Sequence, residues 1–141
     1  MDAKQFLGKL TDRADLLVRS PYMLFAKCDE VNGAPCITFG FTNDPKKHTE
    51  HFVNADERDL WWSEFTTIMM TMCTPQCITM GTVLFQPMYL RRFVCHSNEQ
   101  AHFVILDFGN DRSVWLGSHQ REQQIALFAA LEHVLAPYLA T

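Results

Sequence analysis

Cys73 and Cys77 flank a Thr-Pro-Gln turn in the stretch MMTMCTPQCITM, and two histidines, His48 and His51, lie upstream in HTEH. Thiolate and imidazole suit zinc, and structural zinc sites commonly join a closely spaced Cys pair to a second pair of Cys or His. Cys73, Cys77, His48 and His51 are the candidate ligands, and they meet that spacing loosely. A plainer reading competes with it. Cys73 ends a segment dense in Met and Trp, and Cys77 opens an apolar run. In such settings cysteine behaves as a small buried hydrophobe. The expectation is therefore reduced thiols, no metal and no other cofactor.

Cys95-His96 invites a nucleophile–base reading, but adjacent strand residues point to opposite faces, so His96 cannot serve Cys95. His102, on the next expected strand, could reach Cys95, and Arg91 and Arg92 would supply the positive setting that a reactive thiol needs. A half-buried strand cysteine explains the same residues without any chemistry. Asp107-Phe108-Gly109 matches a kinase metal-binding triplet, yet the chain has neither the Gly-rich phosphate loop nor the His-Arg-Asp loop that would give it meaning. It reads as a strand end entering a Gly-Asn-Asp turn. The acid pairs Asp29-Glu30 and Asp56-Glu57 fall in a turn and a helix cap, so neither makes an acid–base dyad. No catalytic residue is expected.

These residues must be positioned by a chain of 141 residues with 48% apolar and 20% charged side chains, which is globular composition for one domain, residues 1–141. A net charge of -4 argues against nucleic acid as a partner, since that footprint is basic. No apolar run approaches the roughly 20 residues needed to cross a bilayer. Charges interrupt the start, MDAKQFLGKLTDRADLL, so no export signal is expected, and the five cysteines fit a reducing cytoplasm.

Phe6, Leu10, Ala14 and Leu17 recur at helical spacing, predicting a first amphipathic helix that stops before Pro21. YMLFAKCDE and APCITFGF surround Asn32-Gly33, a hairpin signal that sets Cys28 near Ile37 and Cys36 near Asp29. Pro35 lacks a donor, which suggests an edge strand or a bulge. TNDPKKHTEH reads as a polar loop. Asn54, three residues before Glu57, predicts a helix start, and Pro75 its end. CITMGTVLFQ, MYLRRFVCHS, AHFVILDF and RSVWLGS then read as three or four strands in a meander. Ser118 should cap a last helix whose core stripe is Ile125, Phe128, Leu131 and Leu135.

The expected fold is α+β, with the order α-β-β-α-β-β-β-α and helices packed on one antiparallel sheet of five to six strands. As topology, that order resembles the profilin-like arrangement of roadblock-type dynein light chains and the layout of type III secretion chaperones. The resemblance implies a dimeric scaffold or chaperone.

Apolar residues exceed what one sheet face needs. Trp61 and Trp62 lie about 100° apart on a helix, so one core stripe cannot centre both. Trp61 goes with Phe65, Ile68 and Met72 toward the sheet, leaving Trp62 and Met69 on a second side. Leu127, Val134 and Tyr138 form a second stripe on the last helix. These five are the candidate interface residues, because Trp, Met and Tyr are enriched at interfaces. The reading is a non-enzymatic, cytoplasmic protein-binding module of inhibitor, immunity, chaperone or scaffold type, a homodimer with another protein as partner. The alternative is a small metal- or ligand-binding protein, or a thiol enzyme using Cys73, Cys77 or Cys95.

Overall fold

The computed structural model describes residues 22–42, 44–72, 77–118 and 120–139. The expected first helix, Cys73 and the helix end at Pro75 lie outside these residues. Among the described residues are two α-helices and two antiparallel sheets, of five and three strands, with the helices packed on them. The α+β class is as expected. The strands, however, fall into two sheets, so the single-sheet layout behind the topological resemblance is not the one adopted. By its contacts the chain divides into two compact units, with the boundary between Gln86 and Pro87.

In the first unit, β1 (Met23–Val31) and β2 (Ala34–Phe41) form a hairpin around Asn32 and Gly33, at φ 54° and 77°. Both residues sit in the left-handed region that a two-residue hairpin turn requires. The register is the expected one, with Cys28 opposite Ile37 and Asp29 opposite Cys36. A Cβ at position 33 would meet nothing within 4 Å, so a side chain there suffers only backbone strain. Gly33→Val is expected to cost about 1–2 kcal/mol, the scale of forcing a β-branched residue into left-handed space. An unchanged thermal midpoint would contradict this turn.

The expected polar loop is instead a strand, β3 (Asp44–His51), paired to β2 from Phe41↔Asp44 to Cys36↔His51. It is an edge strand, where Lys46 and Lys47 discourage pairing with another chain. Its polarity reports its place in the sheet. β2 is consequently interior, and Pro35 needs neither an edge nor a bulge. Pro35 stands one residue beyond the last β2–β3 pair, and its carbonyl still accepts from the Phe52 N–H at 3.1 Å. CITMGTVLFQ also departs from expectation. It breaks at Gly81, φ 61°, into the short hairpin β4 (Ile78–Met80) and β5 (Val83–Phe85), giving the order β3-β2-β1-β5-β4.

The helix α1 (Ala55–Met72) starts as its cap predicts, with the Glu57 N–H donating to Asn54 Oδ1 at 2.8 Å. Arg58 ties its first turn to the end of β1 by donating from Nη1 to the Asp29 carbonyl at 2.8 Å. Trp61, Phe65, Ile68 and Met69 enter one cluster with Ala26, Ile37, Phe39, Phe41 and Leu84.

In the second unit a 3-10 turn (Pro87–Tyr89) leads into β6 (Arg92–Ser97), β7 (His102–Gly109) and β8 (Arg112–Ser118), a meander with β7 central. Ser118 closes β8 rather than capping a helix, and α2 (Arg121–Leu139) follows. α2 lies on one face of this sheet, with Leu131 and Leu135 buried along with Val104, Leu106, Val114 and Leu116. Its core stripe begins at Gln124, 4% exposed, while Ile125 is 57% exposed. The Gln124 amide donates to the Phe103 carbonyl at 2.9 Å and the His96 carbonyl at 3.2 Å. Satisfied hydrogen bonds let this amide take the buried position.

Candidate binding surface

The face of β6–β7–β8 opposite α2 has no helix of its own unit on it. Strand alternation places Val94, Ile105 and Trp115 in one row across it, and Arg92, Asp107 and Ser113 in the next. Trp115 is 41% exposed and Val94 38%. The Trp115 ring meets His96 at 5.5 Å and Phe103 at 5.1 Å between centroids. Phe103 lies over Gly117, where a Cβ would stand 3.1 Å from the ring. Val94, Ile105 and Trp115 line a shallow groove of about 440 Å³, with Arg91 and Asp111 at its charged end.

That end is built by the Asp107-Phe108-Gly109 triplet, which is a strand end entering a turn. Gly109, Asn110 and Asp111 have φ of 84°, 54° and 61°. Asp107 organises it. The Gly109 N–H donates to Oδ1 and Arg92 Nε to Oδ2, each at 2.8 Å. The Gly109 N–H first, then Arg92, hold the Asp107 carboxyl below its usual range. A depressed folded pKa contributes stability that is present above the unfolded value, about 3.9, and lost as pH falls through the folded one. Asp107→Asn is therefore expected to flatten the fall of the melting midpoint below about pH 4. Parallel acid profiles for variant and wild type would show the carboxylate is idle.

The expected site residues are spread over the molecule. Met69 is 2% exposed in the first core, so it cannot serve as an interface residue there. At about 100° per residue it lies only about 20° from Trp62, so the side of α1 that the two share is itself turned toward the core. Trp62 is half-buried and packs against the same cluster. On α2, Leu127 is half-buried, Val134 is 37% exposed and Tyr138 42%. His48 and His51 stand on β3, three residues apart and hence on opposite faces, and His48 Nε2 bonds Glu50 Oε1 at 2.6 Å. Cys77 is buried in the first core. Among the described residues no group of three or more His, Cys, Asp or Glu could hold a metal ion.

Burial pushes the Cys28 thiol up, aided by Asp59, and burial does the same at Cys36, the opposite of activating a nucleophile. Cys95 faces Val104, and His102 turns to Ser97, with Nδ1 2.9 Å from Oγ. Arg91, Val94, Ile105, Asp111 and Trp115 were not singled out as an interface by sequence. Comparison with protein-family models, curated proteins and solved structures finds no match to the chain.

Proposed function

We propose that the chain is a non-enzymatic protein-binding module, of inhibitor, immunity, chaperone or scaffold type, whose contact surface is the face of β6–β7–β8 opposite α2. The observation that carries this reading is Trp115, 41% exposed beside Val94 in the groove. An exposed aromatic among aliphatic residues with a charged rim is the anatomy of an interface hot spot. An intracellular setting belongs to the same reading, supported by free thiols at Cys28, Cys36 and Cys95.

Immobilised chain tests it by capture from the source cell. Trp115→Arg is expected to lose the proteins that the wild type retains, at a cost of about 2 kcal/mol or more in affinity. Its thermal midpoint should stay near the wild-type value, since the ring is largely outside the core. Identical capture by both forms would remove this face from the function.

A further inference from the structure

We propose that this face takes a second copy of the chain, face to face about a two-fold axis running along the strands, with Arg91 of each copy meeting the partner's Asp111. The proposal rests on the protein-binding reading of the same surface and names its occupant.

The charge pattern carries it. Of the groove's four charged residues, Arg92 and Asp107 neutralise one another at 2.8 Å. Arg91 and Asp111 remain: neither makes an ion pair among the described residues, and Arg91 acts on the Asp107 carboxylate only at longer range and more weakly than Arg92. Both sit at the same end of the sheet. Arg91 precedes β6 and lies across Gly109, its Nε 2.7 Å from where a Cβ would stand. Asp111 lies in the β7–β8 turn on the other side. A two-fold axis along the strands keeps like ends together and lays β6 of one copy over β8 of the other. Each unpaired cation then faces an unpaired anion, twice, around an apolar centre of Val94, Ile105 and Trp115. A self-complementary patch of this kind is what an isologous dimer requires. A purely acidic or purely basic partner would leave one of the two charges opposed by its own sign.

Size sets the strength. Three strands about 4.8 Å apart and six residues of about 3.3 Å each make a face of roughly 14 by 20 Å. That product, roughly 280 Å² on each copy, is well below a standard interface, so association is expected to be weak and transient, at the high-micromolar end. The net charge of -4 on each copy opposes approach only within a screening length of about 8 Å at physiological salt.

Sedimentation over roughly 5–300 µM tests it, on wild type, Arg91→Glu, Asp111→Lys and an equimolar mixture of the two variants, a range chosen to bracket micromolar association. The wild type is expected to dimerise, and each reversal to weaken it about tenfold or more, because two-fold symmetry applies the change twice. Mixing should yield a heterodimer of near wild-type strength. In it the introduced glutamate meets the introduced lysine at one contact, and the native Arg91 meets the native Asp111 at the other. Interactions within one chain cannot produce that rescue. Should lysine at φ 61° prevent folding, Asp111→Asn tolerates that geometry, and its mixture with Arg91→Glu should still associate more tightly than either variant alone. A monomeric wild type, variants that dimerise like it, or a mixture without rescue overturns the proposal. A monomeric wild type that still loses its captured proteins on Trp115→Arg would sink the second copy and leave the binding face standing.

Discussion

Trp61→Ala is expected to cost about 3–5 kcal/mol of stability, the largest single loss on α1. The indole is 8% exposed and stacks on Phe65 at 4.8 Å. Phe39 meets it edge-on at 6.1 Å, and Phe52 lies at 5.8 Å. Truncation would leave a void between a helix and two strands that are held by hairpin register and cannot close over it. Trp62→Ala is the control. Its ring touches Phe65 at 6.2 Å but keeps one side outside the cluster, so its removal should cost less than half as much. Thermal and denaturant melts of the pair decide it. Equal losses would mean that the helix is buried all round.

That contrast was readable in the sequence because the two tryptophans stand about 100° apart and only one shares a stripe with Phe65 and Ile68. Met69 was not readable in the same way. A wide apolar stripe tells how much of a helix is buried and leaves its centre undefined, and here Met69 lies inside at 2% exposure. The hairpin at Asn32-Gly33 was legible down to residue pairs, since a two-residue turn fixes register by itself. β3 was illegible for the opposite reason. An edge strand needs no apolar alternation to pair, and Asp-Pro-Lys-Lys carries the features that protect an edge as well as those that mark a loop.

The binding face was hidden by a similar ambiguity. Phe93, Cys95 and the buried Val104, Leu106, Val114 and Leu116 alternate with Val94, Ile105 and Trp115, so β6, β7 and β8 are apolar on both registers. Sequence alone does not say which register α2 covers. Gln124 would have been the clue, because an amide inside a helix stripe marks where strand carbonyls need donors. Hydropathy assigned that stripe to Ile125 instead, one residue away, at a position where no bond anchors the side chain to the sheet.

Gly40→Ala is expected to destabilise the first unit by about 2–3 kcal/mol, although glycine is not required there by its backbone conformation. Gly40 lies opposite Phe25 on β1, and a Cβ would stand 2.5 Å from one ring carbon and 2.9 Å from another. The ring cannot step aside. Phe25 is 1% exposed, pairs with Phe85 on its other flank and reaches across β2 toward Lys47, whose ammonium sits 5.7 Å from the ring centroid. An aromatic laid over a neighbouring strand's glycine recurs in the second unit, where Phe103 covers Gly117. There the clearance is 3.1 Å and Phe103 is only half-buried, so Gly117→Ala should cost less than about 1 kcal/mol as the ring shifts outward. A double-mutant cycle identifies the cause. Phe25→Leu alone should destabilise through lost packing, yet in the Gly40→Ala background it should relieve the overlap, giving a favourable coupling of about 1 kcal/mol or more. If the two substitutions simply add, the ring does not lie over Gly40, and the close packing of β1 on β2 would need another explanation.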